Sequence, residues 1–388
     1  MRVIVATRIY RPEPAAASLV LGAIADALTA RGHEVAVYTV TPPKGLRTMP
    51  RAERVRGFPV LRDRQGYVRG YVQYMSFDIP LFFRLLFAKR PDAVFVEPPP
   101  TTGAVVRFVC ALRRIPYVYD AADIWSDAAA HATDSSLVIR VLRGIERIAL
   151  HGATSLVTIS QGVVDRVRAL GVATSAEITG FGADTDSFFY REQESLEPVF
   201  LYAGTFSELH GASILIDAFA EFHKTHPEFR LAFLGNGTGQ DEMLARAATY
   251  GIEESVTFNA PVSSAELNER FSRATGSLAT LLPGGGYEYA FTTKIYSSLA
   301  SGCPVIFAGP GPTRDFLLGA SAHVPAGAAT DYDPKQIADA MSALADAPPR
   351  PDLRGQIAAW TKANHSMAAV ASRVATVIER SIEGKARR

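Results

Sequence analysis

Short apolar runs alternate along the chain with longer segments whose apolar positions recur every three to four residues. Val3 to Ala6 is a continuous apolar run and predicts a strand. Ala17 to Arg31 carries Leu19, Ala23 and Leu28 at helical spacing, and Gly32 stops that helix. Strand-like runs return at Glu34 to Tyr38, Ala93 to Val96, Pro116 to Tyr119 and Ser155 to Ile159. The alternation restarts at Val199 to Ala203, with a helix from Gly211 to His223. Further strands are predicted at Arg230 to Leu234, Val256 to Phe258, Gly276 to Ala279 and Pro304 to Phe307. Continuous apolar strands separated by helices imply parallel sheets covered on both faces.

The two series predict two similar α/β halves, each a Rossmann-like, doubly wound domain. A polar, aperiodic stretch from Tyr190 to Pro198 separates them. The expected division is residues 1–188, a linker at 189–198, residues 199–365, and a C-terminal helix within 366–388 that packs back toward the first domain. Open α/β sheets bind ligands beyond the carboxyl ends of their strands, so two such domains facing each other predict chemistry in an interdomain cleft.

The length of 388 residues fits two domains. Forty Lys and Arg oppose 39 Asp and Glu, which argues against a dedicated nucleic-acid binder. The two cysteines, Cys110 and Cys303, build no disulfide framework, and no Cys/His cluster has metal-ligand spacing. The opening is apolar for too few residues to act as a targeting signal, and no run reaches the ~20 apolar residues of a membrane span. The expected location is cytoplasmic, peripheral to the inner membrane face.

Three loops offer phosphate recognition. Ala16, Ala17 and Ser18 open the first helix, where free N–H groups favour an anion or simply complete a strand–helix turn. Gly235 and Asn236 belong to a Gly-rich turn that follows a later strand. A dinucleotide fingerprint belongs after a domain's first strand, so an NAD-dependent oxidoreductase is disfavoured. The third loop, Pro283 to Lys294, is the most informative. Glycines, Thr292 or Thr293 as N-cap, and Lys294 converge on one helix start. A cation there opposes the helix dipole unless it shares a bound phosphate with the helix N–H groups. Asp120 and Asp123 follow the strand ending at Tyr119. Asp123 either orients or deprotonates an acceptor hydroxyl or caps the next helix. No G-x-S-x-G elbow or Walker A pattern is present.

Together these segments resemble the family-4 retaining glycosyltransferases of GT-B fold, in particular those that build bacterial surface polysaccharides and glycoconjugates. The resemblance covers nearly the whole chain. It rests on Met1 to Glu13, Leu28 to Val35, Asp123-Ile124-Trp125, Ile159 to Gly162, Gly182 to Phe188, Tyr202 to Thr205 and Lys294 to Val305. It implies a C-terminal domain that holds a nucleotide-diphosphate sugar, UDP above others, and an N-terminal domain that holds a hydroxyl acceptor, lipid-linked or soluble. It implies no cofactor and no bound metal. Lys294 and nearby N–H groups then stabilise the diphosphate leaving group, with Gly204, Thr205, His210, Gly235, Asn236, Thr293, Ile295, Ser297 and Ser298 also at the donor site.

Three positions depart from the family pattern. Ser297 stands where a Glu usually grips the ribose. Glu288 lies one residue from the expected sugar-facing Glu. His210 replaces a usual Lys, and the companion Arg is missing. These departures motivate an alternative, a non-catalytic transferase-like binding protein. Residues 44–70 carry a basic excess of six and precede an aromatic, apolar stretch, which predicts peripheral membrane contact through 44–88 or a basic loop before a core helix.

Overall fold

The structure is a computed structural model. It describes all residues except 14, 44, 47–50, 64, 65, 67, 69, 133, 134, 194, 207, 208, 238, 387 and 388, and the side chains of 16, 130–132, 385 and 386 are likewise not described. The chain forms two compact units, residues 1–180 with 367–388, and residues 181–366.

The first unit begins with β1 (Arg2–Ala6), α1 (Ala16–Ala30), β2 (Glu34–Val40), β3 (Arg54–Phe58), α2 (Tyr71–Phe87), β4 (Ala93–Val96) and α3 (Pro100–Arg113). It continues with β5 (Tyr117–Ala121), α4 (Trp125–Ala132), α5 (Ser136–His151), β6 (Ser155–Thr158), α6 (Gln161–Ala169) and β7 (Ala176–Ile178). The second unit contains β8 (Glu197–Ala203), α7 (Ile214–His223), β9 (Arg230–Leu234), α8 (Gln240–Tyr250), β10 (Val256–Asn259), α9 (Ser264–Arg273) and β11 (Ala274–Thr280). It ends with α10 (Lys294–Ala300), β12 (Val305–Ala308), α11 (Pro312–Ser321), β13 (Gly327–Thr330), α12 (Pro334–Asp346) and α13 (Pro351–His365). The chain then returns to the first unit as α14 (Met367–Ala386).

Both sheets are wholly parallel. Their strand orders are β3-β2-β1-β4-β5-β6-β7 and β10-β9-β8-β11-β12-β13. Each order reverses beside its first strand, between β1 and β4 and between β8 and β11. These switch points open a crevice at the carboxyl ends of the strands. Central strands such as Ala93–Val96 and Val305–Ala308 are buried at every residue, as sheets covered on both faces require. In the first unit Leu21, Ile24 and Leu28 of α1 pack with Val370, Val374 and Ile378 of α14 against β1, β2 and β4. The second core joins Phe200, Phe219, Phe222 and Phe233 with Met341 of α12.

Helix starts follow local chemistry. Ser160 Oγ accepts from Val163 N at 3.3 Å to open α6, and Ser263 accepts from Glu266 N at 3.3 Å to open α9. The edge strand β3, Arg-Val-Arg-Gly-Phe, has no apolar run to announce it, and its charges suit an exposed edge.

The division falls before the stretch expected to link the domains. Phe188 is buried in the second unit's core, and Phe189 N donates to Asn268 Oδ1 at 2.9 Å, so residues 189–198 belong to the second unit and end inside β8. Among the described residues no helix is long and apolar enough to cross a membrane.

The basic stretch at 44–70 is not a free cationic surface where it is described. Arg62 pairs with Glu13 at 3.0 Å, Arg51 with Asp26 at 3.7 Å and Arg54 with Glu34 at 3.4 Å. Arg56 lies 5.8 Å from the Tyr38 ring centroid. Lys44, Arg47, Arg64 and Arg69 lie outside the described residues.

Candidate functional site

In the second unit the residues beyond β8 and before α10 meet at the switch point. Tyr202, on β8, is fully buried between Phe206 and Phe233. Its hydroxyl donates to Thr205 O at 3.0 Å and accepts from Lys294 Nζ at 2.7 Å. The Lys294 ammonium also sits 4.2 Å from the Tyr202 ring centroid, within cation–π range. Burial pushes the Lys294 pKa down to about 7. His210 is pushed down to about 4, mainly by burial and further by the charge of Lys294. Two basic groups are thus held short of solvent beside one another, a setting in which an anion is strongly favoured.

Gly204 makes this packing possible. It adopts φ 147°, and a Cβ there would lie 2.8 Å from Lys294 Nζ. Gly235, at φ 154°, presses its own backbone on Gly204, and a Cβ would lie 2.0 Å from Gly204 O. Gly204 N donates to Leu234 O at 2.9 Å and Phe206 N to Asn236 O at 3.0 Å, which ties the two loops together. The Gly-rich turn after β9 therefore serves close backbone approach. Asn236 is exposed and engages this network through its carbonyl.

The other expected donor residues separate into two groups. Ser297 is half-buried one turn after Lys294, on the same helix face. Thr205 is exposed and supplies its carbonyl to Tyr202. Ile295 and Ser298 face the core instead. Ile295 packs with Leu299 and Phe307, while Ser298 Oγ bonds Ser277 Oγ at 2.5 Å and donates to Cys303 O at 3.0 Å. These two anchor α10 to the sheet and do not present side chains to a ligand. Thr293 holds the N-cap position, but its side chain makes no capping bond, and Thr292 N donates to Thr313 Oγ1 at 2.8 Å. Glu288 turns onto its own loop. Its Oε1 accepts from Gly284 N at 2.6 Å and Gly286 N at 3.3 Å, and backbone N–H groups, its own first, hold its pKa below the usual range.

In the first unit the switch point between β1 and β4 carries a charged cluster. Thr7 Oγ1 donates to Glu97 Oε2 at 3.0 Å. Arg8 is buried, donates to Pro98 O at 3.3 Å, and lies 4.0 Å from the Tyr74 ring centroid and 5.8 Å from that of Trp125. Burial pushes Glu97 up to about 7. Burial, reinforced by Glu97 and then Asp123, pushes Asp120 up to about 8. Asp123 stands at the exposed end of this cluster, its pKa also raised by the protein around it.

The capping alternative for Asp123 is filled by another residue. Glu146 of α5, itself buried, accepts from Trp125 N at 2.7 Å and Ser126 N at 3.1 Å. Ala17 and Ser18 lie in the first turn of α1, with Ser18 fully buried, and the side chain of Ala16 lies outside the described residues. The nearby Arg11 is committed to Asp26 at 2.7 Å and Glu53 at 3.0 Å. Sequence reasoning passed over Tyr202, Arg8 and Glu97 as site residues. Position was the available signal, since each lies within or just after an apolar strand run. Among the described residues no group of three or more His, Cys, Asp or Glu could hold a metal ion.

The comparisons with known proteins bear on the family and the fold. Residues 16–179 match the model described as a glycosyl transferase 4-like domain, and residues 197–347 match glycosyl transferases group 1. No curated protein matches the sequence. The fold resembles sucrose-phosphate synthase from Thermosynechococcus elongatus, with TM-score 0.71 and 16% identity over 99% of both chains. It also resembles Anabaena HepE in complex with UDP and glucose, with TM-score 0.68 and 16% identity over 98% of this chain and 100% of that one. WaaG, a glycosyltransferase involved in lipopolysaccharide biosynthesis, aligns with TM-score 0.65 and 16% identity over 97% of this chain and 99% of its own. With one transferase family model matched on each of its two Rossmann-like units, the chain belongs to the family-4 glycosyltransferases of GT-B fold.

Proposed function

We propose that this chain is a retaining transferase that moves a sugar from a nucleoside-diphosphate donor, UDP first among them, to an acceptor hydroxyl in polysaccharide or glycoconjugate assembly. The observation that carries the reading is Lys294, held 2.7 Å from the Tyr202 hydroxyl at the head of α10 with its charge desolvated. In this reading the donor binds the second unit and the acceptor binds the first. The bond from the anomeric carbon to the diphosphate oxygen breaks, and a bond from that carbon to the acceptor oxygen forms on the same face. The acceptor proton passes to the departing diphosphate, whose growing charge Lys294 meets. Charge compensation is assigned to Lys294 and the start of α10 rather than to a metal ion. The comparison structure with UDP and glucose supports UDP as the donor nucleotide.

Binding of a diphosphate restores the charged form of Lys294, so it takes up a proton wherever the free group is partly neutral. Above pH about 7, UDP affinity falls as pH rises, because the free protein must first acquire that proton. Calorimetry of UDP binding at pH about 8, in buffers of differing ionisation enthalpy, should show uptake approaching one proton. Uptake that persists in Lys294→Met would assign the proton to another group.

In this reading Asp123 orients or deprotonates the acceptor. Asp123→Asn should reduce turnover by roughly 100-fold while UDP binding is retained. Equal loss of UDP affinity would show that the residue acts through the donor instead.

A second reading, a non-catalytic transferase-like protein, is favoured by the engagement of Glu288 with its own loop. Glycosyl transfer, or donor hydrolysis that disappears with Lys294, rejects it. Nucleotide binding with neither reaction supports it.

A further inference from the structure

Three neighbouring helices of the first unit leave apolar stripes in solvent. On α2, Ile79, Phe83 and Phe87 follow one another every four residues and are 58%, 53% and 80% exposed. On α3, Phe108 and Leu112 are 60% and 63% exposed. On α5, Leu137, Val141 and Ile148 lie on one helical face and are 64%, 54% and 53% exposed. Phe82, with its centroid 5.8 Å from that of Phe108, joins the α2 and α3 stripes, and α5 packs along α3. Large apolar side chains arranged this way form a patch rather than the scattered exposure normal for a surface.

The exposed charge on these three helices has one sign. The three helices contain six arginines, and their two acids, Asp78 and Glu146, are each only 1% exposed. Arg140, Arg143 and Arg147 of α5 are exposed, and among the described residues none of the three forms an ion pair. An open recess of about 380 Å³ beside α5 is lined by Arg107, Arg147 and His151, with Ile148 at its wall. The whole chain is nearly neutral, so this asymmetry is local.

We infer that the α2–α3–α5 face docks on an anionic lipid bilayer, with its apolar stripes in the interfacial region and its arginines on lipid phosphates. A second copy of the chain fits the patch less well. A two-fold pairing would lay this arginine-bearing face on its own copy, with no exposed acid on these helices to offset the charge. The inference places the contact on α5 and the outer side of α2, not on the ion-paired Arg51, Arg54 and Arg62. It does not depend on the transfer reaction, so the two can fail separately.

The test is flotation of the full chain with vesicles of phosphatidylcholine alone and with vesicles that also contain phosphatidylglycerol. Binding is expected only to the anionic vesicles, and it should weaken with added salt. Removing three charges in Arg140→Ala/Arg143→Ala/Arg147→Ala should weaken binding roughly 100-fold, on the order of fivefold per arginine. Val141→Asp/Ile148→Asp should abolish it. Both variants should keep the wild-type melting temperature and UDP affinity, since only exposed side chains change. Arg51→Ala/Arg54→Ala should bind as wild type. Absence of wild-type binding to anionic vesicles at low salt overturns the inference. So does unaltered binding of the α5 variants, loss confined to the Arg51/Arg54 variant, or a lipid-free dimer that Val141→Asp dissociates.

Discussion

Lys294→Met is expected to lower turnover by about 100- to 1,000-fold and to remove most of the stabilisation that UDP gives the protein, without weakening the unliganded fold. The reason is electrostatic. The ammonium is desolvated beside Tyr202, and its pKa falls from 10.5 to about 7. Between those two values the unfolded chain binds more protons than the folded one, so wild-type stability rises with pH across that window. Below pH about 7 the full penalty of the buried charge remains. Methionine keeps most of the volume and removes the charge, so the variant should lose this rise and be no less stable than wild type near neutrality. Thermal unfolding across pH, with and without UDP, separates the two effects. A variant that melts well below wild type without ligand would show that Lys294 is a structural residue. Near-normal turnover would remove its role toward phosphate.

Gly235→Ala should destabilise the second unit by about 3 kcal/mol or more. Two costs add. The residue occupies a backbone region that side chains disfavour, and the new methyl would lie 2.0 Å from the carbonyl oxygen of Gly204. Neither partner is a flexible side chain, so the loops after β8 and β9 must separate. Gly204 lies directly beneath the Lys294 side chain, so UDP binding should weaken as well. Gly285→Ala supplies the control, because nothing lies within 4 Å of its added methyl and its backbone is unrestricted. Chemical denaturation of both variants measures the difference. Equal stability would mean that the glycine reflects only an ordinary turn.

The core of the fold was readable because parallel strands buried on both faces leave continuous apolar runs. Ala93 to Val96 and Pro304 to Phe307 are examples, and the structure places both in the central region of their sheets. Among the edge strands, β10 was predicted at Val256 to Phe258, but β3 and β13 were not readable. Arg54 to Phe58 has exposed, charged positions and no run, and Gly327 to Thr330 is built from small residues. The compact units divide elsewhere than the expected linker for a related reason. Its polarity marks solvent exposure, whereas domain membership is decided by Phe188 and by the backbone bond of Phe189 to Asn268. At the site, Lys294 was legible because a cation at a helix start conflicts with the helix dipole. Its neighbours Ile295 and Ser298 share the motif, but helical geometry turns them to the core.

The sequence by itself determined two parallel α/β units, the helix that begins at Lys294, the glycines that allow close backbone approach, and a family resemblance that the domain models bear out. Those properties are local, set by periodicity, propensity and the conformational freedom of glycine. Only the tertiary structure decided which charges are desolvated and which are spent. Tyr202 and Lys294 are 92 residues apart in sequence, yet the fold brings them together, and burial there lowers the proton affinity of the lysine. Glu146 takes the capping role at α4 that Asp123 could have held. Arg62, Arg51 and Arg54 of the basic stretch are paired with Glu13, Asp26 and Glu34, while Arg140, Arg143 and Arg147 stand beside exposed apolar stripes. Burial and pairing depend on segments distant in the chain, and a one-dimensional pattern carries no measure of that distance.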